Sequence, residues 1–230
     1  SLKTDRAERP NGVVHRQNVA CTGSLIDPDT WNQACRELSA RDPILGKLIR
    51  ETEKGRLLSR GEPFQTLVRS IVGQQISVKA ADSIWERFRT VCPACTPSEI
   101  MQASVDSLGA SGLSRRKVEY LKDLAFHFLE RKIRTDRWIV MADEEIIADL
   151  TRIKGIGRWT AEMFLIFNLL RPDVLPVDDV GLQKGVSKSY FSGKPVSRED
   201  IRELAKNWKP WCTVATWYLW RSLTPLPVEY

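Results

Sequence analysis

Two short segments carry residue types that could do chemistry together: Lys154-Gly155-Ile156-Gly157-Arg158 and, about 20 residues later, Leu175-Pro176-Val177-Asp178-Asp179. In the first, glycines permit close backbone approach, and the amides that open the following helix offer N–H donors at the positive end of a dipole. Lys154 and Arg158 add positive charge beside them. That combination suits a phosphate, although the turn taken alone also reads as an ordinary helix-helix turn with a glycine stop. In the second segment two adjacent carboxylates leave an apolar stretch just before a helix, where they either cap that helix or stabilise developing positive charge.

The elements that must position these residues read as helices. Asp29 or Thr30 can cap a helix through WNQACREL, and Asp42-Pro43 opens PILGKLIRET with proline in a tolerated first-turn place. Phe64, Leu67, Val68 and Ile71 recur at helical spacing, pause at Gly73-Gln74-Gln75, and resume with Val78, Ala81, Ile84, Trp85 and Phe88. Two helices therefore meet at a Gly-Gln-Gln corner. Thr96-Pro-Ser-Glu starts a short helix that the Gly109 to Gly112 region separates from a longer one. Asp143 is placed to cap the helix entering the Lys154 hairpin, and RWTAEMFLIFNLL is the helix leaving it. Ser197-Arg-Glu-Asp and Pro210-Trp211 begin the last two. The one strand candidate, Val174 to Val177, is short and broken by Pro176. The fold class is all-α, in two helical lobes, after a polar stretch at residues 1–25 that reads as an irregular tail.

The 230 residues, 42% hydrophobic and 28% charged, suffice for one good core or two modest ones sharing an interface. A net charge of +6 favours a polyanionic partner without proving one. No apolar run nears a membrane span or forms a signal core, so a membrane partner is not expected. Five cysteines without regular spacing argue against a disulfide framework. Cys92 and Cys95 have zinc-ligand spacing but lack a second ligand pair, because His15 and His127 form no local motif with them; free thiols at a helix end are the other reading.

With Leu150, Ile153, Gly155, Ile156, Gly157, Thr160-Ala161, Leu175-Pro176 and Asp178-Asp179 in this order, the chain resembles the helix-hairpin-helix (HhH-GPD) superfamily of DNA glycosylases. FQTLVRSIVGQQISVKAA is similar to that superfamily's lesion-edge corner. LSRRKVEYLKDLA and NWKPWCTVATWYLW are similar to segments of its 3-methyladenine glycosylase II branch. The resemblance covers residues from about 40 to 222 and omits the amino-terminal β-sheet domain that some of the branch carry. It implies one glycosylase region over 26–230, with one lobe at about 64–170 including the 150–158 hairpin, and the other from 26–60 plus 171–230.

The resemblance also implies roles. Breaking an N-glycosidic bond passes through an oxocarbenium-like sugar, and Asp179, just before Val180, aligns with the catalytic carboxylate, leaving Asp178 to cap or orient it. Lys154, Gly155, Gly157 and Arg158 would hold the DNA backbone. Relatives that also cut the strand carry a lysine where this chain has Trp159, so a hydrolytic reaction without lyase activity is expected. Trp159, Met163 and Trp220 would line a base pocket, Met163 standing where an aromatic is also allowed, and aromatic faces suit cationic alkylated purines. Trp208, Trp211 and Trp217 read as core. Gln75, with Gln74 beside it, matches the wedge that fills the gap left by a flipped base; a helix-capping glutamine is the plainer alternative. Arg115, Arg116 and Lys117 either meet the backbone or form a solvated face.

No cofactor is required on this reading, and no iron-sulfur cluster is expected, since only Cys212 lies beyond residue 95. The carbonyls of Thr151, Ile153 and Gly155 are the places where the resemblance puts a monovalent cation, Na+ or K+. The expected partner is double-stranded DNA containing alkylated bases, bound by a monomer, in the nucleoid of a bacterium or the nucleus of a eukaryote. Two other readings remain: a non-catalytic helix-hairpin-helix DNA-binding protein, or a glycosylase for deaminated or oxidised bases.

Overall fold

The computed structural model describes residues 25–223. Twelve α-helices are found there and no strand: α1 Pro28–Arg41, α2 Pro43–Glu51, α3 Pro63–Val72, α4 Val78–Val91, α5 Pro97–Gln102, α6 Val105–Ala110, α7 Arg115–Leu129, α8 Asp143–Thr151, α9 Arg158–Phe167, α10 Val180–Tyr190, α11 Arg198–Ala205 and α12 Cys212–Arg221. The stretch Val174 to Val177 is irregular rather than a strand, as its proline requires. The expected tail at 1–25 lies almost wholly outside the described residues.

Side-chain caps set most of the boundaries. Asp42 accepts from the N–H groups of Ile44 and Leu45 at 2.9 and 3.1 Å, with Pro43 at the first helical position of α2. Ser197 and Asp200 cap α11 reciprocally, each accepting the other's backbone N–H at 3.0 Å. Three starts differ from expectation. Asp27, not Asp29 or Thr30, caps α1, because Pro28 is already helical and Asp27 reaches the Thr30 N–H at 2.7 Å. Asp143 is the first residue of α8 rather than its cap; the Ala142 N–H is satisfied by Glu145 at 2.7 Å. Ser104 breaks the expected single helix after Thr96 into α5 and α6 by accepting from the Ser107 N–H at 3.0 Å.

The helices sort into two lobes. Helices α3 to α9 pack on one another, and α1, α2, α10, α11 and α12 form the other group. Helix α9 is central: every residue from Thr160 to Phe167 is buried, so only its amino-terminal turn reaches solvent. Backbone bonds from Ile26 to Leu170 and from Arg60 to Phe167 tie the amino-terminal segments to the end of α9. Trp208 and Trp211 are buried, as expected of core residues, while Trp217 is only partly covered and packs edge-on against Trp31 at 5.2 Å. Cys92 and Cys95 lie at the end of α4 as free, buried thiols, and burial pushes the Cys95 thiol up to about 12. Among the described residues no helix is long and apolar enough to cross a membrane.

Candidate active site

The turn between α8 and α9 uses its two glycines differently. Gly155 has φ +86°, and an added Cβ would sit 2.3 Å from the Tyr120 ring, so both backbone and packing demand glycine there. Gly157 is extended backbone at the start of α9, with nothing within 4 Å of an added Cβ and no side chain capping the helix. The fold itself leaves room for a side chain at 157. Glycine there keeps the approach to the first-turn N–H groups of α9 open.

The cations beside the turn are held by carboxylates. The Lys154 ammonium donates to Glu119 at 2.8 Å, and its backbone N–H donates to Asp123 at 2.8 Å. Arg158 donates to both oxygens of Glu144, at 2.9 and 2.5 Å, and lies 3.8 Å from Glu162. The Lys154–Glu119 and Arg158–Glu144 pairs are largely exposed, so a phosphate can compete for either cation at small cost.

The two lobes meet at Asp179. This residue is only 3% exposed and is itself the amino-terminal cap of α10, its Oδ2 accepting from the Leu182 N–H at 2.7 Å. The same oxygen accepts from Trp220 Nε1 at 2.8 Å, and Oδ1 accepts from Trp159 Nε1 at 2.9 Å. One carboxylate is thus oriented by α9, α10 and α12 together. Asp178, expected to cap or orient its neighbour, instead faces outward and pairs with Arg198. The two adjacent aspartates are therefore distinguished by environment: one is buried under two indoles, the other is a surface ion pair.

Trp159 and Trp220 were expected as pocket walls; the structure makes both of them hydrogen-bond donors to Asp179 as well. Met163 is completely buried, because the second turn of α9 lies inside the core, so it presents no surface to a base in this arrangement. Trp220 is backed by buried Phe167, which lies parallel to it with ring centroids 5.5 Å apart and carries the Arg60 guanidinium 4.5 Å over its ring. Sequence reading missed Phe167 because it sits two turns beyond Trp159, in the wholly apolar second half of α9, MFLIF, which reads as core.

The two glutamines at the α3–α4 corner separate. Gln74 donates from its side-chain amide to the Gly155 carbonyl at 2.8 Å, bracing the corner against the hairpin. Gln75 is exposed and adopts φ +57°, a left-handed conformation that turns the chain outward between α3 and α4. Lys117, from the basic run, donates to the Val72 carbonyl at 2.8 Å and so closes the carboxyl-terminal end of α3.

Glu162 was not anticipated. It is 3% exposed, one turn after Arg158, and burial pushes its carboxyl up to about 7; Arg158 pulls it down, while Asp178, Glu144 and Asp179 push it further up. A charged residue in the apolar run RWTAEMF was the available signal.

A model of the HhH-GPD superfamily of base excision DNA repair proteins matches residues 68–210. DNA-3-methyladenine glycosylase 1 of Schizosaccharomyces pombe is 35% identical over 182 residues, covering 77% of this chain and 80% of that protein. Among solved structures, a DNA-3-methyladenine glycosidase from Bacillus halodurans superposes with a TM-score of 0.80 at 36% identity, covering 86% of this chain and 92% of that one. The S. pombe 3-methyladenine DNA glycosylase in complex with abasic DNA superposes with a TM-score of 0.70 at 33% identity, over 84% of this chain and 98% of that one.

Proposed function

The chain belongs to the HhH-GPD superfamily of base excision DNA repair proteins, and on that premise we propose that it is a monofunctional DNA glycosylase that hydrolyses the N-glycosidic bond of alkylated purines. The observation that carries this reading is the convergence of the Trp159 and Trp220 indole N–H groups on the buried Asp179 carboxylate. Similarity to alkylbase glycosylases, one of them solved on abasic DNA, supports the substrate class.

The first turn of α9 and Gly157 grip a backbone phosphate, with Arg158 and Lys154 released from their surface carboxylates to join it. Exposed Gln75 enters the space vacated as the damaged nucleotide rotates out of the stack. The carbonyls of Ile153 and Gly155 each accept one hydrogen bond, from the Ile156 N–H and from Gln74, and each keeps a second lone pair. With the Thr151 carbonyl they are the groups that would hold a monovalent cation between the hairpin and DNA.

Asp179 acts at the sugar. As the bond to the base lengthens, positive charge develops at the anomeric carbon, and a fixed carboxylate stabilises it without reorganising. The indole donors hold both carboxylate oxygens in place for that role. Alkylated purines carry positive charge and leave readily, so the half-buried indole of Trp159, with Trp220 on the other oxygen of Asp179 and Phe167 stacked behind Trp220, can select them by stacking on a cation. Position 159 offers an indole rather than an amine, and its N–H is committed to Asp179, so a Schiff base with the sugar is not formed there.

The test is base release from methylated duplex DNA under single-turnover conditions, with strand scission followed in the same reaction. Release of methylpurines with intact strands supports the reading. Binding without release points to a non-catalytic DNA-binding protein, and release accompanied by scission contradicts the monofunctional assignment.

A further inference from the structure

The loop that carries Asp179 also borders a cavity of about 440 Å³. Its wall includes Val177 of that loop, Arg158 and Glu162 of α9, and Arg202, Lys206 and Lys209 at the end of α11. Four cationic residues, Arg158 of α9, Arg202 of α11, and Lys206 and Lys209 just beyond it, therefore line one cavity, in which Glu162 is the single carboxylate.

We propose that this cleft between α9 and α11 seats a second backbone phosphate of duplex DNA, with Arg158 shared between it and the hairpin. The inference rests on the reading that duplex DNA is the ligand. The cations are available: Arg202 pairs with Glu199, and Lys206 with Glu203 at 2.6 Å, each three residues back on the same exposed face. Such pairs contribute little in water, so an anion that meets cations from both helices at once displaces them readily. Lys209 has no carboxylate partner among the described residues.

Glu162 is the group that would repel a phosphate. Its carboxyl is pushed up to about 7, so near neutrality a large fraction is already protonated and able to donate a hydrogen bond. Arg158 is the cation that pulls it down, and Glu144, Asp178 and Asp179 act the other way. When Arg158, 3.8 Å from Glu162, turns away toward a phosphate, Glu162 loses that counter-ion and takes up a proton. Filling the cleft and protonating Glu162 therefore favour each other, with Arg202, Lys206 and Lys209 supplying the remaining positive wall.

The experiment measures the affinity of the full chain for a duplex as a function of salt. It compares the wild type with the combined Arg202→Gln, Lys206→Gln, Lys209→Gln variant, and with Lys47→Gln, on α2 and paired to Glu51, as a control for loss of surface charge. The log–log salt slope should fall by about 0.9 for each phosphate that the combined variant no longer neutralises, and remain unchanged in the control. Wild-type binding should also tighten as the pH falls through about 7, and Glu162→Gln should flatten that dependence. A combined variant with the wild-type slope overturns the cleft, whatever the base-release assay shows. A reduced slope in the combined variant without base release by the wild type upholds the cleft while removing the glycosylase reading, so the two failures are told apart.

Discussion

Trp220 Nε1 donates to Asp179 Oδ2 at 2.8 Å, across 41 residues of chain and between α12 and the cap of α10. The opposite oxygen accepts from Trp159 at 2.9 Å, so Asp179 is aimed by one indole from each lobe. Trp220→Phe keeps an aromatic ring against Phe167 and deletes the donor. A hydrogen bond to a charged group is worth about 1.5–3 kcal/mol, so single-turnover base release should slow by about 10- to 100-fold. Comparing release rates with melting temperatures separates lost orientation from lost fold.

The hairpin glycines should respond in opposite ways. Gly155→Ala forces a side chain into φ +86° and into the Tyr120 ring, and should cost about 2–5 kcal/mol in urea unfolding. Gly157→Ala meets nothing within 4 Å, so its stability should change little while its affinity for duplex DNA falls. Affinity and unfolding measured on both variants check the division.

This division was half legible from sequence. The motif predicted that both glycines belong to a phosphate turn, but only the packing of Tyr120, 35 residues away, shows which one the fold itself requires. Asp179 was singled out by the resemblance: locally it and Asp178 read alike, as two carboxylates between an apolar run and a helix start, and only the packing of Trp159 and Trp220 sets their environments apart. Helical periodicity pointed to the all-α class. Phe167 and the bracing role of Gln74 were not readable, because each depends on which helix lies opposite, and a local pattern contains no such information; Glu162 left a local signal, a charge within an apolar run, that went unused. The cap at Asp27 also has a local signal: Pro28 suits a first helical position and so places the cap one residue before it.

Glu162 should make stability fall as pH rises. Its folded value near 7 exceeds the ordinary 4.5, so between those values the native state binds more protons than the unfolded chain. Stability is then lost with rising pH across that window, by ~3 kcal/mol at most. Glu162→Gln should show a flatter dependence in urea titrations from below pH 5 to above pH 7. An unchanged pH profile in the variant would assign the slope to other groups.

The corner glutamines predict a second pair of contrasting variants. Gln74→Ala removes the brace to the Gly155 carbonyl and should cost about 1 kcal/mol in stability. Gln75→Ala leaves the described hydrogen bonds intact, so it should leave stability nearly unchanged and slow base release from duplex more than from single strands. That difference between duplex and single-stranded substrates is the readout expected of a residue that fills the gap left by a flipped base.

The most direct test of the account is the single-turnover rate of methylpurine release by Asp179→Asn, read beside its melting temperature and its affinity for the same duplex. Asparagine can still accept from Leu182 but places no negative charge at the sugar, so the account predicts a folded, DNA-binding protein whose release rate falls by about 100-fold or more. A variant that binds DNA and releases methylpurines at the wild-type rate would contradict the assignment of Asp179 as the catalytic carboxylate.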